Sequence, residues 1–542
     1  MLFNLYKLFR SLTQLEQLIV LGAAVIFIIT GVVYGISLLD KTTTLRPAEG
    51  GTYREAVVNQ PVYINPVISN ANDADKDLVA LIYSNVFALA EKITPSQNKL
   101  VWTIRLRDNL SWHDGVRLTA DDVVFTIEKI QDPETRSPLF VTWQGVVPER
   151  VSELELALTT GAPYAFFEDN LKNLVVIPKH LFTDVPVANW RLSNYNLEPV
   201  GSGPYLVDSY KKEKSGFISE YLLKRNDSYF GPRPYIDKIE FVYFTDESEA
   251  IAAFNNARVD ALSGINPLSL GSIRRPHKLE NLYLPRYYAV FLNQSSNELL
   301  KNKSVRLALG YATDKQRIVN EAFGGYAAIA NGPIPPNQPS VANKNPSVSY
   351  NPEGAENNLI EAKLERGADG MRGEIKLVVP QIKFLTQTAD ILKQNWEAVG
   401  IKTTIITLDP ATVNNDVIRT RNYDAILFGN IFANNPDMFS FWHSSERFYP
   451  GLNLSLYNNK AADKLMENIR QNFSEADRLE DIAKLETTII EDVPAVFLYS
   501  PNYLYITQNN ISSLTNWKLN VPSNRFGKIS EWFINTKRAF LK

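Results

Sequence analysis

His113 and Asp114 stand side by side in "SWHDGVRLTADDVVFTIEKI", residues 111–130, and a histidine beside a carboxylate is what a general acid–base site needs. In extended chain, however, neighbouring side chains point to opposite sides, so the two do not easily form one pair. His180, His277 and His443 are scattered far away, and none stands at a metal-ligand spacing. Asp114-Gly115 reads as a turn and Thr119 as the cap of the next helix. Asp121 and Asp122 then fall in the first turn, where the helix dipole favours them. Val123, Val124, Ile127 and Ile130 form its buried stripe. Turn and cap rules account for every residue of the stretch.

Other reactive patterns fail on context. "GSGPY", 201–205, lacks the following helix that a dinucleotide loop requires, and no P-loop motif occurs. The chain has 59 Asp and Glu residues, so chance carboxylate pairs are unavoidable, but nothing singles out two of them. No G-x-S-x-G elbow is present, and with no Cys there is neither thiolate chemistry nor a disulfide framework. The expectation is therefore no enzyme, no metal and no cofactor. A net charge of -3 without a Lys/Arg block argues against a nucleic-acid partner.

Binding chemistry gathers instead in "YDAILFGNIFANNPDMFSFWHSS", 423–445, where a strand ending at Gly429 releases a loop bearing Asn430, Phe432, Asn434, Asn435 and Asp437. Loops at strand ends are where open α/β sheets hold ligands, and amides with aromatic faces suit a polar organic solute. Phe439, Phe441 and Trp442 read more simply as the buried face of a helix.

The elements that must position these residues begin at the membrane. Leu18 to Leu39, "LIVLGAAVIFIITGVVYGISLL", carries no charge and as a helix spans roughly 30 Å of hydrocarbon. Lys7 and Arg10 before it favour a cytoplasmic N-terminus, although Lys41 and Arg46 oppose that bias. A cleaved signal peptide would have a shorter apolar core and a small-residue cleavage site, and "DKTTTLRPAEGG" offers a poor one. A lipid anchor on Cys is excluded. The expectation is a single-pass anchor over 18–39, a polar linker over 40–51 and a large extracytoplasmic body. Strand patterns at 101–107, 240–245, 282–294, 374–380, 402–408 and 423–430 alternate with helical ones at 75–90, 305–323, 385–399, 461–471 and 475–492. That is a mixed α/β body, with a surface loop at 331–352.

Seven blocks, in order, resemble one family. "VWTIRLRDNLSWHDGVRLTADDVVFTIEKI", "PVGSGPYLVDSY" with "LKRNDSYFGPRPYIDKIEF", and "VRLALGYATDKQRIVNEAFGGYAAIANGPIPP" are followed by "NWEAVGIKTTIITLD", "YDAILFGN", "NLSLYNNKAADKLMENI" and "VPAVFLYSPNYLYI". Over about residues 50–540 the chain is similar to the family 5 extracellular solute-binding proteins of ABC transporters, the oligopeptide, dipeptide and nickel type. The resemblance implies a two-lobed periplasmic-binding-protein clamp of the large type II class. Lobe I would take 52–287 plus 499–542, with an inserted subdomain, and lobe II 288–498. A monomer would enclose a peptide or other small polar solute between the lobes and deliver it to an ABC permease.

The resemblance also nominates Asn70 and Asn72, after Asn65-Pro66, as contacts to a peptide backbone, and Phe140 and Trp143 as cleft aromatics. In peptide binders an Asp in the loop after the "YDA…G" strand takes the amino terminus; alignment on Pro436 puts Phe432 there, or Ala433 with an insertion. Asn430 stands where Trp is common, and Asp437 is the nearest substitute carboxylate. Two other functions use the same body: a membrane-tethered sensor or scaffold, and an extracellular hydrolase, which would need a nucleophile or carboxylate pair in the cleft.

Overall fold

The apolar run is one helix, Gln14–Thr42, in a computed structural model that describes residues 11–69, 72–336, 349–432, 435–508, 511 and 519–540. Thr13 and Glu16 close its N-terminus, Thr13 N donating to the Glu16 carboxylate at 2.8 Å. No residue of this helix is buried against protein, and it is long and apolar enough to cross a membrane. The segment read as a linker is ordered. The strand Thr43–Ala48 follows the helix directly and pairs antiparallel with Asn535–Phe540.

The body is built on two large sheets. A seven-stranded sheet runs in the order Lys278–Leu282, Tyr503–Thr507, Ala261–Ser263, Thr52–Val58, Lys238–Phe244, Ile218–Arg225, Tyr205–Lys212. A six-stranded sheet runs Ala327–Ile329, Ala495–Pro501, Arg286–Leu292, Ala425–Ile431, Gly373–Pro380, Ile401–Leu408. A four-stranded sheet, Ala90–Pro95, Val101–Leu106, Glu155–Thr159 and Val147–Ser152, is inserted into the first lobe. The chain crosses between lobes twice, near 283–285 and at Asn502, the single residue between strands of different sheets. Period-two alternation explains how the second sheet is covered on both faces. Tyr287, Ala289 and Phe291 join one apolar cluster, and Val290 and Leu292 join the other.

Two helical patterns are broken where sequence suggested continuity. The 75–90 run is Asp73–Ile82 and then Val86–Leu89, because Asn85 recaps the chain by accepting from Ala88 N at 2.9 Å. The 305–323 run is Lys303–Ala312 and Lys315–Phe323, restarted by Asp314, which accepts from Arg317 N at 2.9 Å. Of the expected surface loop, 337–348 lies outside the described residues.

His113 and the glycines of "GSGPY" form one joint. His113 N donates to Gly201 O at 2.8 Å, its Nδ1 accepts from Gly201 N at 3.2 Å, and its Nε2 faces Gly203 O at 3.1 Å. This pattern requires a neutral ring protonated on Nε2. The glycines are needed because a Cβ at 201 would stand 1.9 Å from Ile82 O and one at 203 would stand 2.5 Å from Leu81 O. Asp114 caps its own turn by accepting from Val116 N at 3.1 Å and pairs with His180 at 2.7 Å. Among the described residues, neither belongs to a metal-ligand set.

Burial depresses the His113 pKa to about 4 from an ordinary 6.5. A base with a depressed folded pKa contributes stability that is complete above about 6.5 and is lost as pH falls towards 4. His113→Gln should therefore flatten the acid limb of the unfolding curve between those values. The ring is only partly enclosed, so the flattening amounts to at most about 3 kcal/mol. Urea titrations of both proteins at pH 7 and pH 4.5 measure it, and equal losses in the two would contradict it.

Candidate functional site

A cavity of about 560 Å³ opens where the lobes meet, within the roughly 300–1,000 Å³ of small-molecule sites. Lobe I supplies Val141, Thr142, Thr160, Gly161 and Tyr164, and lobe II supplies Ile431, Phe432, Asn435, Asp437 and Phe441. Strand ends supply much of each wall, and the helical turn Phe140–Trp143 supplies Val141 and Thr142. Glu155–Thr159 of the inserted sheet leads into 160–166, and Ala425–Ile431 leads into the Asn-rich loop.

The two walls are latched. Tyr164 Oη of lobe I donates to Asp437 Oδ2 at 3.0 Å, while Arg470 Nε donates to both Asp437 oxygens at 3.1 and 2.9 Å. Ala165 N donates to Arg470 O at 2.7 Å, and Asn435 Nδ2 reaches Asp169 Oδ2 at 3.5 Å. The Arg470 guanidinium lies 3.8 Å over the Phe439 ring, which stacks on His443 at 4.0 Å. Burial and the Asp437 carboxylate hold the Tyr164 hydroxyl protonated far above its usual range, so it remains a donor.

A second cavity, about 270 Å³, lies at the crossing strands. Arg286, Tyr288, Lys383, Gln387, Asn502 and Tyr503 line it. Arg286, in this cavity, is the register partner of Ile431, which lines the first. Arg286 Nε and Asn502 Oδ1 are buried without a hydrogen-bond partner among the described residues. A buried donor or acceptor left unmade costs about 1–3 kcal/mol unless solute or water meets it.

The structure redistributes the predicted site. Phe432 and Asp437 line the larger cavity. Phe432 is nonetheless only 3% exposed, packed on Tyr287 and Phe441 at 5.9 and 5.0 Å. Asn430 is buried, and its Nδ2 donates to Tyr287 Oη at 2.8 Å, a bond within the six-stranded sheet. Trp143 sits in the lobe I core 6.0 Å from Phe167. Phe140 is half-buried, and Val141 and Thr142 take the cavity wall in its place. Asn72 is spent on scaffolding, accepting from Ala74 N at 3.1 Å and donating to Gln60 O at 2.9 Å. Asn70 and Asn434 lie outside the described residues. Tyr164 and Arg470 were missed because each becomes meaningful only across the lobe boundary.

The comparisons agree with this architecture. The sequence model of the bacterial extracellular solute-binding proteins, family 5 Middle, matches residues 86–448. The oligopeptide-binding protein AppA of Bacillus subtilis is 28% identical over 521 residues, covering 88% of this chain and 93% of its own. Its solved structure with a nonapeptide superposes with a TM-score of 0.73 at 25% identity, covering 90% of this chain and all of that one. The ABC transporter substrate-binding protein CtaP of Listeria monocytogenes gives a TM-score of 0.77 at 25% identity over 90% of this chain and 99% of its own. With two α/β lobes, a cavity walled by both and a family match across two-thirds of its length, the chain belongs to the family 5 bacterial extracellular solute-binding proteins.

Proposed function

We propose that this protein is a membrane-anchored extracytoplasmic receptor that captures a peptide or peptide-like solute between its lobes and delivers it to an ABC permease. The observation that carries the reading is a cavity walled by both lobes and latched through Tyr164, Asp437 and Arg470. A solute in such a cavity contacts both lobes, so affinity and closure draw on the same contacts. The unburied apolar helix Gln14–Thr42 supports the anchor, and tethering keeps the clamp at high effective concentration near its permease. The lobes are assigned to 52–287 plus 499–542 and to 288–498, with the few residues at each join that complete strands Arg286–Leu292 and Ala495–Pro501 counted in lobe II.

The charges of the cavities favour one end of the solute over the other. Asp437 is neutralised by Arg470, and Glu446 is half-exposed, where an ion pair contributes at most about 1 kcal/mol. Arg286 and Lys383 outnumber the one carboxylate Glu247 in the smaller cavity, and Arg286 Nε has no partner among the described residues, which suits it to a solute carboxylate. The preferred solute has a free acidic end and does not depend on a free amine. Calorimetry against a panel of di- to nonapeptides and their N-acetyl forms tests this. Affinities of each pair should agree within about tenfold, the limit of a surface ion pair. A preference of about a hundredfold or more for the free amine, or no binding across the panel, would contradict it.

A further inference from the structure

Immediately outside the apolar helix, the first and last strands of the chain are zipped together. Thr43 faces Phe540, Leu45 faces Arg538, and Arg46 faces Lys537. Arg538 also donates to Asp40 at 2.6 Å and to Thr43 Oγ1 at 3.1 Å, which ties the last helical turn to the C-terminal strand. Directly opposed residues of an antiparallel pair share a face, so Arg46 and Lys537 stack like charges on one side of the ribbon. Such a pair is unfavourable in water, and neither cation has an ion-pair partner among the described residues. The other face presents Leu45, 65% exposed, and Phe540, 74% exposed. Across 40–48 and 535–540 the chain carries four cations, Lys41, Arg46, Lys537 and Arg538, against the single carboxylate Asp40.

Height above the bilayer follows from the helix. The apolar run ends at Leu39, and Thr43 stands four residues on, about 6 Å along a helix axis. The polar headgroup layer is about 5–7 Å deep on each side of the hydrocarbon. Phe540, register partner of Thr43, is thus carried at headgroup level, where aromatic side chains are favoured.

We infer that the Thr43–Ala48/Asn535–Phe540 ribbon is a lipid-binding element. Phe540 and Leu45 enter the interface, and Arg46 with Lys537 takes anionic headgroups that relieve their mutual repulsion. The C-terminal strand thereby becomes a second membrane contact that sets the height and tilt of the clamp. This rests on the proposed anchoring of the helix, and the test separates the two.

The chain has no Cys, so single nitroxide labels are unambiguous. Full-length Val25→Cys, Phe540→Cys and Leu192→Cys proteins are labelled and reconstituted into phosphatidylcholine vesicles with and without phosphatidylglycerol. Oxygen and nickel-chelate accessibilities then give label depth. Val25 should read deep in the hydrocarbon, Leu192 aqueous, and Phe540 at the headgroups. The oxygen-to-nickel accessibility ratio at 540 should be several-fold above that at 192. Phosphatidylglycerol should raise this ratio further, and Arg46→Gln with Lys537→Gln should remove that increment. An aqueous Phe540 beside a deep Val25 overturns the inference alone and leaves the ribbon for a protein partner. An aqueous Val25 overturns the anchor and the inference with it. A Phe540 depth indifferent to both lipid charge and the double substitution overturns the headgroup role.

Discussion

Arg525→Ala is expected to destabilise lobe I by about 3–5 kcal/mol, enough to lower its unfolding temperature by roughly 10 °C or more. Arg525 is wholly buried in the C-terminal segment Pro522–Glu531. Its guanidinium donates to Glu55 Oε1 at 2.6 Å and takes both oxygens of Asp77, one at 2.7 Å. Glu55 also accepts from the hydroxyls of Tyr53 and Tyr505 at 2.8 and 2.7 Å. The triad joins the first strand of the seven-stranded sheet, the helix Asp73–Ile82 and the end of the chain. Removing the arginine leaves two carboxylates buried without a counter-charge, and the Asp77 pKa, which burial already raises to about 7, loses the cation that holds it down. Carboxylates with raised folded pKa values contribute stability below their unfolded values and lose it as pH rises, so the deficit should shrink in acid. A triple change, Arg525→Met with Glu55→Gln and Asp77→Asn, should recover much of the loss, because it removes the charges together. Calorimetric scans at pH 7 and pH 5 measure both effects; a pH-independent deficit below about 1 kcal/mol would contradict the account.

Trp442→Ala should cost lobe II a comparable 3–5 kcal/mol or so and abolish solute binding with it. Its fully buried ring lies 6.0 Å from Phe291, 6.1 Å from Tyr457 and 5.8 Å from Phe497. These residues support the six-stranded sheet on the face from which the 431–441 wall of the cavity springs. Trp442→Phe keeps most of the ring volume and should restore more than half of the stability and the binding. Urea unfolding followed beside peptide calorimetry separates the outcomes. A Trp442→Ala protein that is destabilised yet binds normally would show that this cluster does not position the site.

The sequence made the elements readable wherever the period was local. The strands at 101–106, 373–380 and 401–408 declare themselves by alternation or by a continuous apolar run, and the helices from 383, 460 and 475 by their stripes. Asn85 and Asp314 were hidden inside apolar patterns because a cap changes one side chain's partner without breaking the period. Long-range pairings were not readable at all. Nothing near Thr43 announces a partner almost 500 residues away, and nothing in "WHDG" announces Gly201. Asn430 and Trp143 pack away from the cavity for a common reason: polar and aromatic side chains that suit a ligand also suit Tyr287 and Phe167. Phe432 and Asp437, named from the resemblance, line the cavity between the lobes, whereas Tyr164 and Arg470 required the lobes to be brought together.

Solute capture between the lobes without chemistry is the central claim, and native mass spectrometry of the full-length protein in detergent, mixed with the peptide panel, tests it most directly. The account predicts one intact peptide per chain, released unchanged on denaturation. Bare chain at every peptide concentration, or peptide returned as fragments, would contradict it.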